Sequence, residues 1–277
     1  PAAEVTFRTA AAEDAIRAIV QEVPEMLVGA GTVITTEQAD RAMAAGATFI
    51  VAPGYDPKVT QHVLDKGGIM MPGTASAGEM QQAMNQGCQV IKYFPAEANG
   101  GVAMLKNIGA ALKGAKWMCT GGVSAKNVND YLGYSQIVAV GGTWMCKKEL
   151  IEGEKWDEIT AMCKEAVKTM LGFSLAHVGL NCENEAEAGQ SAKTLCALFG
   201  FEYKPGNSSI FAGSAVECMK SPYLGKNGHI AIATNSLDRA VYHLGRQGVE
   251  FDESTRKPKA IYLKQEVGGF AIHLVQR

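Results

Sequence analysis

At 277 residues the chain is long for one ordinary domain and comfortable for two, and 47% hydrophobic against 19% charged residues describes a globular protein. A formal net charge of −2 leaves no basic surplus for nucleic acid, and no apolar run reaches the length of a membrane span, so neither partner is expected. The seven cysteines (88, 119, 146, 163, 182, 196 and 218) are odd in number and contain no C-x-x-C pair, which fits buried free thiols in a reducing cytoplasm.

In chain order, short β-rich runs alternate with helical patterns as far as residue 147. The runs are "AEVTF" (3–7), "LVGAGTV" (27–33), "TFIVAPG" (48–54), "GIMMPG" (68–73), "QVIKYFP" (89–95), "KWMCTGG" (116–122) and "IVAVGGTW" (137–144). Between them, "TTEQADRAMAAG" and "SAGEMQQAMNQG" begin at Ser/Thr cap candidates and close at glycine. This alternation predicts an α/β fold with a parallel sheet, a (β/α)8 TIM barrel. Seven strands fall one short of closure, so the expectation is that one strand and one helix precede Pro1; failing that, the eighth strand comes from elsewhere in the chain.

Residues 151–172 carry a last amphipathic pattern, with Trp156, Ile159, Met162, Ala166 and Met170 at helical spacing. From Ser174 the pattern changes to a weak internal repeat. "HVGLN", a helix with "LCALFGFEY" and further strands are followed by "HIAIA", a helix "SLDRAVYHLGRQGVEF" and further strands. The reading is an α+β domain of two βαβββ units, with domains at 1–172 and 173–277.

The stretch "VIKYFPAEANGG" (90–101) sets a lysine inside an apolar strand. A side-chain period of two turns Val90, Lys92 and Phe94 one way and Ile91 and Tyr93 the other, so the lysine has no sideways route to water. Burial lowers a lysine pKa from ~10.4 by up to several units, and a neutral amine attacks carbonyls. The competing reading is a lysine snorkelling from a strand end beside Pro95. By the same parity, Glu4, Thr6 and Arg8 of "EVTFRT" share a face, as a proton-transfer carboxylate beside an anion clamp or as a structural ion pair. Thr32 in "GAGTV" brings a hydroxyl to the same mouth. "TGG" (120–122) and "GGT" (141–143) close the last two strands, where barrels commonly bind phosphate through backbone N–H groups; ordinary turn glycines are the alternative.

"EVTFRT", "VGAGTV", "APG", "KYFPAEANGG", "TGG" and "GGTW" stand in the order and spacing of the 2-keto-3-deoxy-6-phosphogluconate (KDPG) aldolases, including bifunctional 4-hydroxy-2-oxoglutarate (KHG) aldolases, which residues 1–170 resemble. The resemblance implies a class I aldolase with no cofactor, usually a homotrimer. Lys92 would form the Schiff base with the keto carbon of pyruvate, and Glu4 would move protons through a water. Arg8 and Thr32 would hold the pyruvate carboxylate with Thr120 nearby, and Pro53 and Phe94 would wall the pocket. Gly121, Gly122, Gly142 and Thr143 would take the phosphate, Thr143 standing where a serine is expected. The implied substrate is a phosphorylated 2-keto acid. The implied reaction cleaves KDPG to pyruvate and glyceraldehyde 3-phosphate, or 4-hydroxy-2-oxoglutarate to pyruvate and glyoxylate. An aldolase for the phosphogalactonate epimer is a further alternative.

The repeat after residue 173 resembles the vicinal-oxygen-chelate superfamily of glyoxalase I and the extradiol dioxygenases. That resemblance places metal ligands at His177, Glu217, His229 and His273. The intervals, 40 residues from His177 to Glu217 and 44 from His229 to His273, are those of two copies of one module. Imidazole and carboxylate suit zinc, nickel, iron or manganese. His273 stands where a glutamate is usual, which weakens a standard glyoxalase assignment. His62 and His243 lie on helical patterns as surface or packing residues. The alternative functional readings are metal-dependent isomerase or lyase activity in this domain with the barrel as scaffold, or an assembly role.

Overall fold

The computed structural model describes residues 1–277, and the chain divides into two compact units, Pro1–Cys163 and Lys164–Arg277. The first contains β1 (Ala2–Thr6), β2 (Leu27–Gly31), β3 (Phe49–Val51), β4 (Ile69–Met71), β5 (Gly73–Thr74), β6 (Ile91–Tyr93), β7 (Trp117–Thr120) and β8 (Ile137–Gly141). β4 and β5 belong to one run interrupted at Pro72, which has no N–H to give a ladder, although its carbonyl accepts from Lys92 N–H at 3.0 Å. The order is therefore β1-β2-β3-β4 on one side of Pro72 and β5-β6-β7-β8 on the other, with every pairing parallel. The seven strands of the sequence reading are present in a TIM-barrel-type arrangement, and no other element of the chain supplies an eighth beside β1 or β8.

The helices between the strands begin and end for local reasons. Thr35 caps Thr36–Ala44 by accepting from Gln38 N–H at 3.1 Å. Asp56 caps Pro57–Asp65, where proline occupies a first-turn position that needs no donor. Ser76 and Glu79 form a reciprocal capping box at Ala77–Asn85, with Glu79 Oε2 accepting from Ser76 N–H at 2.9 Å. Gly46 and Gly87 follow two of these helices at φ of +105°, a conformation that glycine adopts without penalty.

Strand alternation sorts the apolar residues into two layers. Val28, Ala30, Ile50, Met70, Ile91, Tyr93 and Cys119 join the core between sheet and helices. Phe49, Val51 and Met118, with Met71 and Val90 against them, form a separate interior cluster. Lys92 has the parity of Val90, so its side chain stands on the barrel interior above an apolar floor.

The second unit contains β9 (Ser174–Asn181), β10 (Tyr203–Pro205), β11 (Ser209–Ala212) and β12 (Val216–Met219), then β13 (Gly228–Thr234), β14 (Phe251–Lys257), β15 (Ala260–Val267) and β16 (Phe270–Gln276). Helices Glu185–Phe199 and Leu237–Gly245 follow β9 and β13, which gives two βαβββ modules. The sheet order β10-β11-β12-β9-β13-β16-β15-β14 is a palindrome of modules about the antiparallel β9–β13 pair. Each module packs its own helix in its own core, one around Ala188, Ala192 and Cys218, the other around Leu237, Ala240 and Leu274.

Two sequence expectations change. All seven cysteines are free, but Cys146 and Cys163 are exposed, the first in a turn and the second on an outer helix face. In helix Trp156–Leu171 the apolar stripe is only half-buried, Trp156 is 56% exposed and Leu171 alone is buried. No helix is long and apolar enough to cross a membrane.

Ser76→Ala removes the hydroxyl half of the capping box. It is expected to cost about 1 kcal/mol, read as a lower urea midpoint at unchanged slope.

Candidate functional site

Lys92 is the one buried lysine of the chain, with 8% of its side chain exposed. Its Nζ lies 3.8 Å from Glu4 Oε1 and 5.0 Å from the centroid of the Phe94 ring. Desolvation lowers its pKa below the ordinary lysine value, Glu4 opposes that shift and the Arg8 guanidinium adds to it. Arg8 is exposed just beyond β1, and its Nε donates to Thr6 Oγ1 at 3.2 Å. Lys92 and Glu4 come from separate ladders. Lys92 pairs with Gly73 of β5 and Met118 of β7, while Glu4 pairs with Gly29 of β2. A Cβ on Gly31 would collide with the Glu4 carboxylate, and one on Gly73 with the Pro53 carbonyl, so these two glycines leave room for the acid and for the Pro53 backbone.

Thr32 follows β2 at φ +57°, a left-handed conformation that is strained for a β-branched residue and clusters at functional sites. The Thr120 hydroxyl is buried and has no hydrogen-bond partner. Gly121 (φ +91°) and Gly122 (φ +86°) follow it, and the Thr120–Gly141 register sets this turn beside Gly142 and Thr143 at the C-terminal ends of β7 and β8. Gly121 packs against Pro95, Gly122 against Glu97 and Gly142 beneath the Trp144 ring, while Thr143 is exposed.

In the second unit, register places the four candidate ligands on one sheet face in two rows. Glu217, Gly179 and His229 lie across β12, β9 and β13; His177, Ala231, His273 and Tyr262 lie across β9, β13, β16 and β15. Glu217 Oε2 is 3.1 Å from both His177 Nε2 and His229 Nε2, which are 3.2 Å from each other. Ligand atoms of His177, His229 and His273 fall within 4.8 Å of one another. A Cβ at Gly179 would occupy the space of the His229 ring. Burial works to raise the Glu217 carboxyl, but hydrogen bonds from His177, His229 and Ser209 outweigh it and hold the group below the carboxylate range. His273 is pushed down to about 3 by burial, then by His229 and His177, and neither of its buried ring nitrogens has a partner.

The family model for KDPG and KHG aldolase matches residues 1–162. The chain belongs to this aldolase family. The 2-dehydro-3-deoxy-phosphogluconate aldolase of Treponema pallidum (strain Nichols) is 41% identical over 165 residues, covering 60% of this chain and 79% of that protein. The KHG/KDPG aldolase of Escherichia coli (strain K12) is 39% identical over 165 residues, covering 60% and 78%. Among solved structures, KDPG aldolase from Legionella pneumophila, with pyruvate captured as a covalent carbinolamine, superposes at TM-score 0.58 and 36% identity, covering 60% of this chain and 80% of that one. The Zymomonas mobilis ZM4 enzyme with 3-phosphoglycerate gives 0.55 at 35% identity, covering 60% and 77%.

Several residues of the aldolase unit and its companion escaped the sequence reading. Gly31, Gly73 and Gly179 act by lacking a side chain, and the only signal was glycine inside or beside a strand. Ser209, Phe211 and Tyr262 surround the histidine cluster from strands β11 and β15; Ser209 Oγ donates to Glu217 Oε1 at 2.5 Å. His62 is a partly buried partner of Asp40 at 2.8 Å.

Glu4→Gln removes the charge that favours the Lys92 ammonium and moves the lysine titration to lower pH; Arg8→Gln moves it to higher pH. NMR titration of 13C-methylated lysine reads both signs, and a shift of either variant in the opposite direction contradicts the arrangement.

Proposed function

We propose that the aldolase unit cleaves KDPG to pyruvate and glyceraldehyde 3-phosphate through a Schiff base on Lys92, and accepts 4-hydroxy-2-oxoglutarate as a second substrate. The observation that carries this reading is a buried lysine on the barrel interior with a carboxylate 3.8 Å away. The Lys92 amine adds to the C2 keto carbon, and loss of water gives the imine. Glu4, through a water, takes the C4 hydroxyl proton as the C3–C4 bond breaks, and the electron pair passes into the imine to give an enamine. Protonation at C3 and hydrolysis release pyruvate and restore the amine.

Arg8, Thr32 and Thr120 would hold the carboxylate of the keto acid, between walls at Pro53 and Phe94. Thr120 suits this task because its buried hydroxyl is free to bond a ligand. Gly121, Gly122, Gly142 and Thr143 would receive the phosphate, and this favours phosphorylated substrates over 4-hydroxy-2-oxoglutarate. The reading extends to a cytoplasmic homotrimer with the aldolase domain at 1–172 and a vicinal-oxygen-chelate domain at 173–277.

A second reading concerns that domain. The convergence of Glu217, His177 and His229, the unpartnered ring nitrogens of His273 and the cradle at Gly179 fit a divalent cation, zinc, nickel, iron or manganese. These four side chains would hold the metal, which would supply Lewis-acid polarisation of a substrate oxygen for isomerase or lyase chemistry. Ser209 fixes the Glu217 carboxylate from behind.

Borohydride in the presence of pyruvate is expected to leave a covalent adduct on the peptide containing Lys92. The trapping rate should rise with pH through a pKa below the ordinary lysine value, because the neutral amine is the nucleophile. Lys92→Met should abolish both adduct and turnover; an unmodified peptide or retained turnover rejects the mechanism. Glu4→Gln should lower kcat by about 10²–10⁴-fold, measured with imine formation followed separately. Elemental analysis of the purified protein should find one divalent metal per chain, lost in His229→Ala.

A further inference from the structure

The two modules of the second unit hold their last-strand ligands by different means. In the first, Glu217 of β12 lies opposite Phe211 of β11, and Ser209, two residues before Phe211, donates to the carboxylate at 2.5 Å. In the second, His273 of β16 lies opposite Tyr262 of β15, and the residue two before Tyr262 is Ala260. Phe211 and Tyr262, and likewise Ser209 and Ala260, occupy matching places in the palindromic sheet. The second module has no hydroxyl where the first has its orienting donor.

An imidazole ligand is ordinarily oriented by a hydrogen bond to its other nitrogen. His273 has none, since both ring nitrogens are buried without a partner. Its ring is instead laid flat against Tyr262, with centroids 4.6 Å apart and planes 14° from parallel. Phe211, the matching aromatic, lies edge-on to His177 at 5.4 Å and 79° and leaves Glu217 to its hydrogen bonds. Tyr223 braces Tyr262 from the side, edge-on at 5.8 Å.

We infer that Tyr262 is the positioning residue of His273, fixing the imidazole plane by ring stacking in place of the missing hydrogen bond. The inference rests on the metal reading of the four-residue cluster. The contribution lies in the aromatic face, so the phenol hydroxyl is dispensable. A flat ring restricts rotation about the His273 Cβ–Cγ bond, as an aliphatic side chain of similar volume does not. The cluster then presents its fourth donor pre-oriented, at little ordering cost on binding.

Cobalt(II) serves as the probe, titrated into the full-length, metal-stripped chain with chelator competition for affinity and visible absorption for coordination. Wild type and Tyr262→Phe should bind alike, within about twofold. Tyr262→Leu should bind at least tenfold more weakly, in the range found when outer partners of metal ligands are removed, with an altered absorption band. Tyr262→Met is the replacement if the leucine variant does not fold by circular dichroism. If wild type takes up no cobalt, the metal reading itself falls. Wild-type affinity and spectrum in the leucine or methionine variant overturn the positioning role alone. Loss in the phenylalanine variant equal to that in leucine also overturns it, because the hydroxyl would then be the contributing group.

Discussion

An amine withdrawn from water is the constraint around which the aldolase unit is arranged. Moving one ion of an ordinary side chain out of water costs several kcal/mol even after relaxation. A carboxylate at about 4 Å returns about 4 kcal/mol at an effective dielectric near 20. Burial is the largest influence on Lys92 and lowers its pKa, and its charged neighbours then adjust that shift in opposite directions. Glu4 favours the ammonium and Arg8 the amine. The lowered pKa and the nearby carboxylate suit the proton release and return that the proposed Schiff-base cycle would require of Lys92. The apolar floor of Phe49, Val51 and Met118 closes the barrel interior beneath it.

The fold was legible wherever function and folding use the same pattern. Seven strands were readable because alternation writes a period of two into residues such as Val90, Ile91, Lys92 and Tyr93, and the capped helices because Thr35 and Ser76 must satisfy backbone donors. Lys92 and Glu4 stood out in the sequence because a charge inside an apolar strand calls for a partner, and the structure sets the two 3.8 Å apart. The glycines at 31, 73 and 179 did not stand out, since what they provide is the absence of atoms at contacts between strands distant in sequence. Tyr262 looked like any strand aromatic until register placed it opposite His273. The exposed Cys146 and Cys163 show the reverse limit: local apolar context does not say which face of an outer helix or turn meets water.

The palindromic sheet of the second unit bears on how its ligand set could arise. The β9–β13 pair lies at its centre, and the candidate ligands come from that pair and from the parallel partner of each, β12 and β16. Two separate chains of one module, joined along the same edge, would have to present identical side chains at the places of Glu217 and His273. Covalent tandem duplication lifts that identity: once both halves are encoded in one polypeptide, an acid and an imidazole can face each other across a pseudo-dyad, and each half can acquire its own brace independently.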